Sequence, residues 1–386
     1  GVLREGLGFD RCQVAVVTNI GAGDHLGLNY ITTVEDIAVL KRVVIQNVAP
    51  TGYGVLNAAD PHCIRMAEVC TGQVIFFCSD GNNPVLANTD GRLYQQTNTG
   101  VQLVSKDLSD FTFTGGDIFK TKIRNETGDQ GMITAGGTKE SDRFLFGGAD
   151  YTGLPGTTVS LWYSNLEDYY QQFFLGAKRH DALSVGAIDT DVRMFRSLGV
   201  GGNADGDKDY AAAGVYGDGV NKGRINQSTV SLLESYSLEG HTVGLGIQKN
   251  SGSSDFPYLD SGLNSGDARQ GPGSGADTPA LTNMQLNKFQ HAGERTWLAQ
   301  YKYDLGKLGL NGLTFSAAYA HGDDIRTAQG TTSEWERNVA VAYQVPTGTL
   351  KGLGVTWKNA HASPDITGAT VQDENRFYVS YVVPLW

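Results

Sequence analysis

The sequence predicts a mainly β protein: an antiparallel transmembrane β-barrel preceded by a small α/β fragment. Three observations carry this. The last ninety or so residues, from Glu294 to Trp386, repeat a strict apolar/polar alternation. Tight turns there take turns with longer polar connections. All four cysteines fall in the first eighty residues, and all five tryptophans fall after them.

Alternation is the primary signal, because successive side chains of a strand point to opposite faces. In the segment 296–304, Trp297, Ala299, Tyr301 and Tyr303 share one parity, while Thr296, Gln300, Lys302 and Asp304 share the other. Leu313, Phe315, Ala317 and Tyr319 repeat the pattern, as do Val339, Val341, Tyr343 and Val345, then Leu353, Val355 and Trp357. Tight connections are expected at Asn311-Gly312 and at Pro346-Thr347-Gly348, and longer polar ones at 322–333 and 359–373. Short turns on one rim and long loops on the other mark an outer-membrane barrel. A soluble sandwich is the rival, but it has no reason to lengthen every second loop.

Composition bounds the function. The net charge is −11, divided into −3 for residues 1–80 (five basic, eight acidic) and −8 for 81–386 (twenty-five basic, thirty-three acidic). An acidic balance gives no electrostatic case for nucleic acid. No run of eighteen apolar residues exists, so no transmembrane helix is expected. Gly1 opens into a periodic segment, and no signal peptide is visible. The scattered cysteines Cys12, Cys63, Cys70 and Cys78 suit a reducing cytosol, whereas the cysteine-free remainder suits an envelope protein.

In the first eighty residues, the apolar run 13–20 reads as a buried parallel strand followed by the loop 21–27. Thr32 with Glu35 spells a capping box for a helix through Val48. A strand at 54–57, a helix at 61–70 and a strand at 73–78 complete an α/β alternation. GVLREGLGFDRC at 1–12, TNIGAGDHLG at 18–27 and VLNAADP at 55–61 resemble the central ATP-binding domain of the Mur ligase superfamily, most closely its cyanophycin synthetase branch. The resemblance implies a metal-holding role for His25 and a nucleotide-side position for Asn57, with Asp60 the remnant of an acidic pair. No G-x4-G-K-[ST] phosphate loop occurs in the chain, and the family's metal-binding glutamate and carboxy-terminal domain are missing. The site is therefore expected to be vestigial, with no catalytic residues, functional metal or cofactor.

From residue 81 to the end, further strands are expected near 100–106, 108–118, 142–151, 157–165, 167–178, 184–196, 226–237 and 241–249, giving about thirteen in all. GRLYQQT at 91–97, NLEDYYQQFF at 165–174, FPYLDSG at 256–262, AGERTWLAQYKYDL at 292–305, EWERNVAVAY at 334–343, LKGLGVTWKNA at 350–360 and DENRFYVSYVVPLW at 373–386 resemble the OprD family of outer-membrane channels. That resemblance implies an eighteen-stranded barrel, so this one is expected to be incomplete, lacking roughly the first five strands. A smaller closed barrel of thirteen or fourteen strands is the alternative.

Parity places Lys302, Lys358 and Arg376 on the inward face, with Arg193 added, and Trp357 and Phe377 on the lipid face. The resemblance agrees in part. The family lines its pore with a basic ladder that guides carboxylates, and Thr356 stands where another arginine is common. The segment 251–282, rich in Gly, Ser, Pro and Asp, reads either as a loop folded into the pore, with Tyr258 and Asp260 in its wall, or as a surface loop. The expected partners are outer-membrane lipid and lipopolysaccharide, small anionic or amino-acid solutes, and the barrel-assembly machinery through the strand ending at Trp386. The sequence thus predicts a porin in the outer membrane for 81–386 and a cytosolic character for 1–80. The alternatives are an amide ligase remnant, or a chimera with no single function.

Overall fold

The computed structural model describes residues 10–18, 20, 31–57, 60–77, 96–123, 127–212, 223–262, 278–327, 329–366 and 369–381. The chain divides into two compact units, one holding Gly1–Gly81 and the other Asn82–Val383.

Among the described residues the first unit holds a three-stranded parallel sheet. Strands β1 (Cys12–Val17), β2 (Val48–Asn57) and β3 (Gln73–Phe77) lie in that spatial order, with α1 (Val34–Gln46) between β1 and β2 and α2 (Pro61–Arg65) between β2 and β3. Ile37 and Ile45 of α1, Ala15 and Val17 of β1, Leu56 of β2, Cys63 and Met66 form its core. The capping box sits one residue later than the spacing suggests. Thr33, not Thr32, is the N-cap, and Asp36, not Glu35, closes the box on its backbone amide at 2.9 Å. A short acidic side chain at N3 serves as well as glutamate, because Asp36 also accepts from the Thr32 amide at 2.9 Å. The second predicted helix tightens into a 3-10 turn from Met66 to Val69.

Among the described residues the second unit holds one antiparallel sheet of thirteen strands. In chain order its strands are β4 (Thr97–Ser105), β5 (Phe111–Lys122), β7 (Phe144–Leu154), β8 (Thr157–Leu166), β9 (Tyr170–Ala182), β10 (Ala187–Gly199) and β11 (Asn226–Leu238), followed by β12 (His241–Gly252), β14 (Arg295–Asp304), β15 (Leu313–Thr327), β16 (Gly330–Gln344), β17 (Leu353–Pro364) and β18 (Gln372–Tyr381). Each pairs with its chain neighbour, so the sheet is a continuous meander. Two short strands outside it, β6 (Met132–Thr134) and β13 (Leu259–Ser261), pair with each other.

The turns between strands divide cleanly by rim. One rim holds only short connections, such as Glu239-Gly240 between β11 and β12. The other carries all three long ones, 123–143, 200–225 and 253–294. The polar segments expected as loops at 322–333 and 359–373 are mostly strand: β15 runs to Thr327, β16 starts at Gly330, and β17 runs to Pro364. The hydrogen-bond ladder continues past the apolar band, where water solvates both faces and alternation ceases to be required.

Apolar side chains lie outward. Leu161, Leu175, Met194 and Val230 stand in register across β8 to β11, and all are exposed. Ile247 and Trp297 continue the band on β12 and β14. An exposed apolar surface on so many adjacent strands far exceeds what a water-soluble monomer tolerates, and it fits a lipid-facing band. The inward parity is filled instead. Phe146, Trp162, Phe174 and Phe195 pack with Met132, Ile133, Tyr210, Phe256 and Leu259 of the long connections. Gly148 makes this possible on β7, since a Cβ there would collide with the indole of Trp162.

Candidate pore constriction

The described parts of the connection between β12 and β14, residues 253–262 and 278–294, lie against the inward-parity side chains, held by polar contacts from several strands. On β9, Gln172 Nε2 donates to the Pro257 carbonyl at 3.5 Å. On β10, Arg193 Nη1 donates to the Pro279 carbonyl at 2.7 Å, while the Phe195 ring meets Phe256 edge-on at 5.1 Å. On β12, Gln248 and Asn250 both donate to the Phe289 carbonyl, at 2.7 and 3.0 Å. On β16, the Glu336 carboxylate accepts from the Leu286 amide at 3.0 Å and from the Asn287 amide at 2.6 Å. On β18, Arg376 Nη2 donates to the Gln285 carbonyl at 3.3 Å. All these wall residues share the inward parity of their strands.

The contacts hold a strained backbone. Phe289 has φ of 52° and is fully buried against Leu298 and Ala320. A left-handed non-glycine residue costs roughly 1 kcal/mol or more, so it persists only where its surroundings determine it.

A buried charge cluster closes the segment onto the wall. His291 Nδ1 lies 3.0 Å from Asp255 Oδ2, and Nε2 lies 3.7 Å from Glu334. The His291 and Ala292 amides donate to Glu294 and Asp255, at 2.9 and 2.8 Å. Burial opposes the charge on the imidazole, but the Asp255 hydrogen bond and the carboxylates of Asp255, Glu334 and Glu294 outweigh it and raise its pKa to about 10. Among the described residues no group of His, Cys, Asp or Glu is arranged to hold a metal: Asp205 ends a short helix, and Asp207 caps the 3-10 turn that holds Asp209.

The four predicted inward cations divide into two pairs. Arg193 is engaged bidentately by Asp191, at 3.0 and 2.7 Å, and Arg376 by Glu374, at 3.0 and 2.8 Å. Both therefore act as struts between the wall and the loop. Among the described residues Lys302 and Lys358 make no ion pair. Lys358 Nζ lies 5.7 Å from the Tyr378 ring centroid, and Lys302 borders a recess with Thr242 and Asp304. Tyr258 is buried, with Lys288 Nζ 3.9 Å above its ring, and Asp260 is fully buried, accepting from the Ser261 amide at 2.8 Å.

Alternation could have found the wall residues that the prediction omitted. Glu334 and Glu336 share parity with Ala340 and Ala342, and Lys178 on β9 shares it with Gly176, opposite Arg193. No sequence signal announced that Glu336 would receive two loop amides.

In the first unit His25 lies outside the described residues. Asn57 Nδ2 donates to the Thr18 carbonyl at 2.7 Å. Asp60 caps α2, accepting from the His62 and Cys63 amides at 2.8 and 3.3 Å and from the Ile20 amide at 2.5 Å. Burial works against the Asp60 charge, yet these three amides hold its pKa below the ordinary carboxylate value. Burial and the neighbouring Asp60 push the Cys63 thiol up to about 11.

The pattern of the outer membrane porin, OprD family, matches residues 78–385, and that of the Mur ligase middle domain matches residues 6–122. The chain belongs to the OprD family of outer-membrane porins. It is 30% identical over 307 residues to porin-like protein GalP of Pseudomonas putida, covering 78% of this chain and 66% of that protein. The crystal structure of Pseudomonas aeruginosa OccK8 (OprE) is similar with a TM-score of 0.72 and 40% identity, over 79% of this chain and 75% of that one. OpdK of the same organism, crystallised with vanillate, gives 0.67 and 27%, over 78% and 72%. The amino-terminal segment is 48% identical over 88 residues to cyanophycin synthetase of Synechocystis, 23% of this chain and 10% of that enzyme. The chain thus spans just under two thirds of the curated porins it matches. The two matched ranges overlap at 78–122, where β4 and β5 pair into the large sheet.

Proposed function

We propose that the second unit is the larger part of a channel for passive, selective diffusion of small solutes, carboxylates or amino acids, across an outer membrane. The placement of 253–262 and 278–294 against the inward-parity side chains carries this reading. A loop secured on five strands by Gln172, Arg193, Asn250, Glu336 and Arg376 narrows a lumen without blocking chemistry, and no reaction needs to be assigned to it. Lys302 and Lys358 then supply the lumen's unpaired positive charge. An OpdK structure containing the carboxylate vanillate supports an anionic solute. Tyr258 and Asp260 shape the constriction from within the loop and do not present polar groups to the solute.

Around this core, lipid and lipopolysaccharide cover the outward band, and the barrel-assembly machinery recognises the end at Trp386. We assign the boundary between the ligase-like fragment, 1–80, and the barrel portion, 81–386, to a junction of two unrelated coding segments. The fragment has a cytosolic character and no catalytic role, and His25, Asn57 and Asp60 are inherited positions.

The test is liposome swelling. The refolded chain is supplied with the amino-terminal strands of GalP, because its own sheet is open among the described residues. Lys302→Glu combined with Lys358→Glu should slow glutamate several-fold relative to a neutral sugar of similar size. An unchanged ratio would sink the anion-selective reading, and no swelling with any solute would sink the channel.

A further inference from the structure

The outward face of the large sheet turns from apolar to cationic along one line, near the rim that carries the long connections. The next outward position beyond Met194 on β10 is Arg196, beyond Ile247 on β12 it is Lys249, and beyond Trp297 on β14 it is Arg295. On β16 the outward position beyond Val339 is Arg337. Arg326 joins them from β15, where the ladder shifts register after Gly322: Ile325 is buried, and Arg326 is exposed beside Thr331.

These positions stand at one height. Arg196 pairs with Ser228, whereas Lys249 pairs with Val230, one outward position further from that rim. Arg295 pairs with Lys249 and with Asp323, and Arg337 pairs with Tyr319, two outward positions further still. The line therefore drifts about six residues along the strands over the five gaps from β10 to β16, roughly 20 Å against roughly 24 Å at ordinary strand spacings. That ratio is a tilt of about 40°, the inclination of strands in outer-membrane barrels, so the line runs level along the wall.

Three of the cations converge. Lys249 Nζ donates to the Gly293 carbonyl at 2.6 Å, and Arg326 lies across Gly293 so closely that a Cβ there would stand 2.8 Å from its Cγ. Arg295 and Arg326 both repel the Lys249 ammonium, against attraction from Asp324 and Glu294. Those carboxylates are already engaged: Arg295 holds Asp324 at 2.7 Å, and Glu294 belongs to the buried cluster around His291. Asp323 and Asp373 are likewise taken by His321 and His361, at 3.0 and 3.1 Å. Among the described residues Arg196, Lys249, Arg326 and Arg337 make no ion pair. Toward the short-turn rim the outward cation of β9 is treated differently, since Asp181 takes Arg179 through two bonds of 2.7 Å.

We propose that this line of cations is a phosphate-binding belt for lipopolysaccharide, with Lys249, Arg295 and Arg326 at its centre. An anion there relieves the mutual repulsion of the three, and guanidinium and ammonium groups suit phosphate oxygens. The adjoining surface decides between a lipid and a free ion. Met194, Val230, Ile247 and Trp297 are exposed directly beside the cations and give acyl chains an apolar wall. A lipid that carries both phosphates and acyl chains meets both surfaces at once. Long connections mark the extracellular rim of such barrels, where the lipopolysaccharide leaflet lies. The inference rests on the reading that the outward band meets lipid, and not on the pore or its solute.

The experiment measures retention of diphosphoryl lipid A in detergent by the same refolded preparation as the swelling test, beside dephosphorylated lipid A and inorganic phosphate. The parent protein should hold the diphosphoryl form roughly ten-fold more tightly than the dephosphorylated one and lose that preference as salt is raised. Lys249→Gln combined with Arg326→Gln should weaken the diphosphoryl form by roughly ten-fold and leave the dephosphorylated one unchanged, whereas Arg179→Gln should alter neither. Equal retention of the two lipids by the parent, or an unchanged preference in the double variant, would overturn the belt. Inorganic phosphate that displaces the lipid at equal concentration would assign the cations to a free ion and overturn the lipid. The comparison of the two lipids needs no variant, so it decides the matter even where the double variant lacks the heat-modifiable gel band of a folded barrel. A preparation that binds the phosphorylated lipid but passes no solute would keep the belt and remove the channel. Solute flux without phosphate-dependent retention would do the reverse.

Discussion

The two sheets of this chain bury opposite faces of the same kinds of residue. In the first unit Ala15, Val17 and Leu56 turn inward to helices, and the parallel strands need no membrane. In the second, Leu161, Leu175, Met194 and Val230 turn outward, and the inward face mixes the aromatics Phe146, Trp162, Phe174 and Phe195 with Gln, Asn, Ser and charged groups and with parts of the long connections. Val14 and Val16 of β1 complicate the contrast, since they are apolar and exposed too. They belong to one short strand, however, whereas the outward band of the large sheet recurs on strand after strand. Continuity of the band across the register, and not hydrophobicity of any one strand, identifies the solvent each sheet was built for.

The same substitution on both sheets should break the symmetry by the largest margin. Leu175→Lys sits in the middle of the outward row and should cost about 2–4 kcal/mol when the strand is in lipid. Val14→Lys replaces a side chain that is 57% exposed in the first unit and should stay within about 0.5 kcal/mol. Urea titrations of the chain in lipid vesicles, following the heat-modifiable form for one and Cys63 labelling for the other, measure both. Equal effects would mean that the band does not face lipid.

A smaller effect separates the loop from the wall by pH. The pKa of His291 near 10 lies above its ordinary value of 6.5, so its contribution to docking the 253–294 segment is complete below pH 6.5 and is lost as pH rises through about 10. Protease cleavage within that segment should therefore accelerate between roughly pH 9 and 11, and His291→Gln should remove the step. Cleavage that ignores pH in the parent protein would show that Asp255, Glu294 and Glu334 do not depend on the imidazolium.

The same contrast explains what was legible. Strands of the large sheet were readable because a half-buried strand writes its period of two into the sequence, and the expected count of about thirteen agrees with the thirteen among the described residues. Their ends were not, because beyond the lipid band the ladder continues without alternation, which is why 322–333 and 359–373 looked like loops. The strand parity of Lys302, Lys358, Arg193 and Arg376, from which we propose their inward placement, was equally readable. Their division into two loop struts and two unpaired lysines was not, since it depends on Asp191 and Glu374 two residues away and on carbonyls at Pro279 and Gln285, roughly ninety residues distant. In the first unit, Thr32 and Thr33 are equivalent by composition, and only the backbone at Thr33 selects it as the cap.

The smallest predicted effect sharpens the comparison from the other side, because it should be confined to the first unit. Asp60 caps α2 and binds the Ile20 amide, so Asp60→Ala should cost about 1 kcal/mol or somewhat more. Its lowered pKa means that this contribution is present above the ordinary aspartate value and is lost as pH falls through the folded one. Asp60→Asn keeps an acceptor and should lose less. The readout is the rate at which buried Cys63 is labelled by a thiol reagent in the full chain, normalised to the exposed-thiol rate at each pH. Labelling should accelerate roughly five-fold with Asp60→Ala, the factor that about 1 kcal/mol implies, while the heat-modifiable form of the large sheet stays unchanged. An equal loss in both units would mean that the two sheets fold as one cooperative body. The separate cores, one of Ile37, Ile45 and Leu56 and the other of Phe146, Trp162 and Phe195, argue against that.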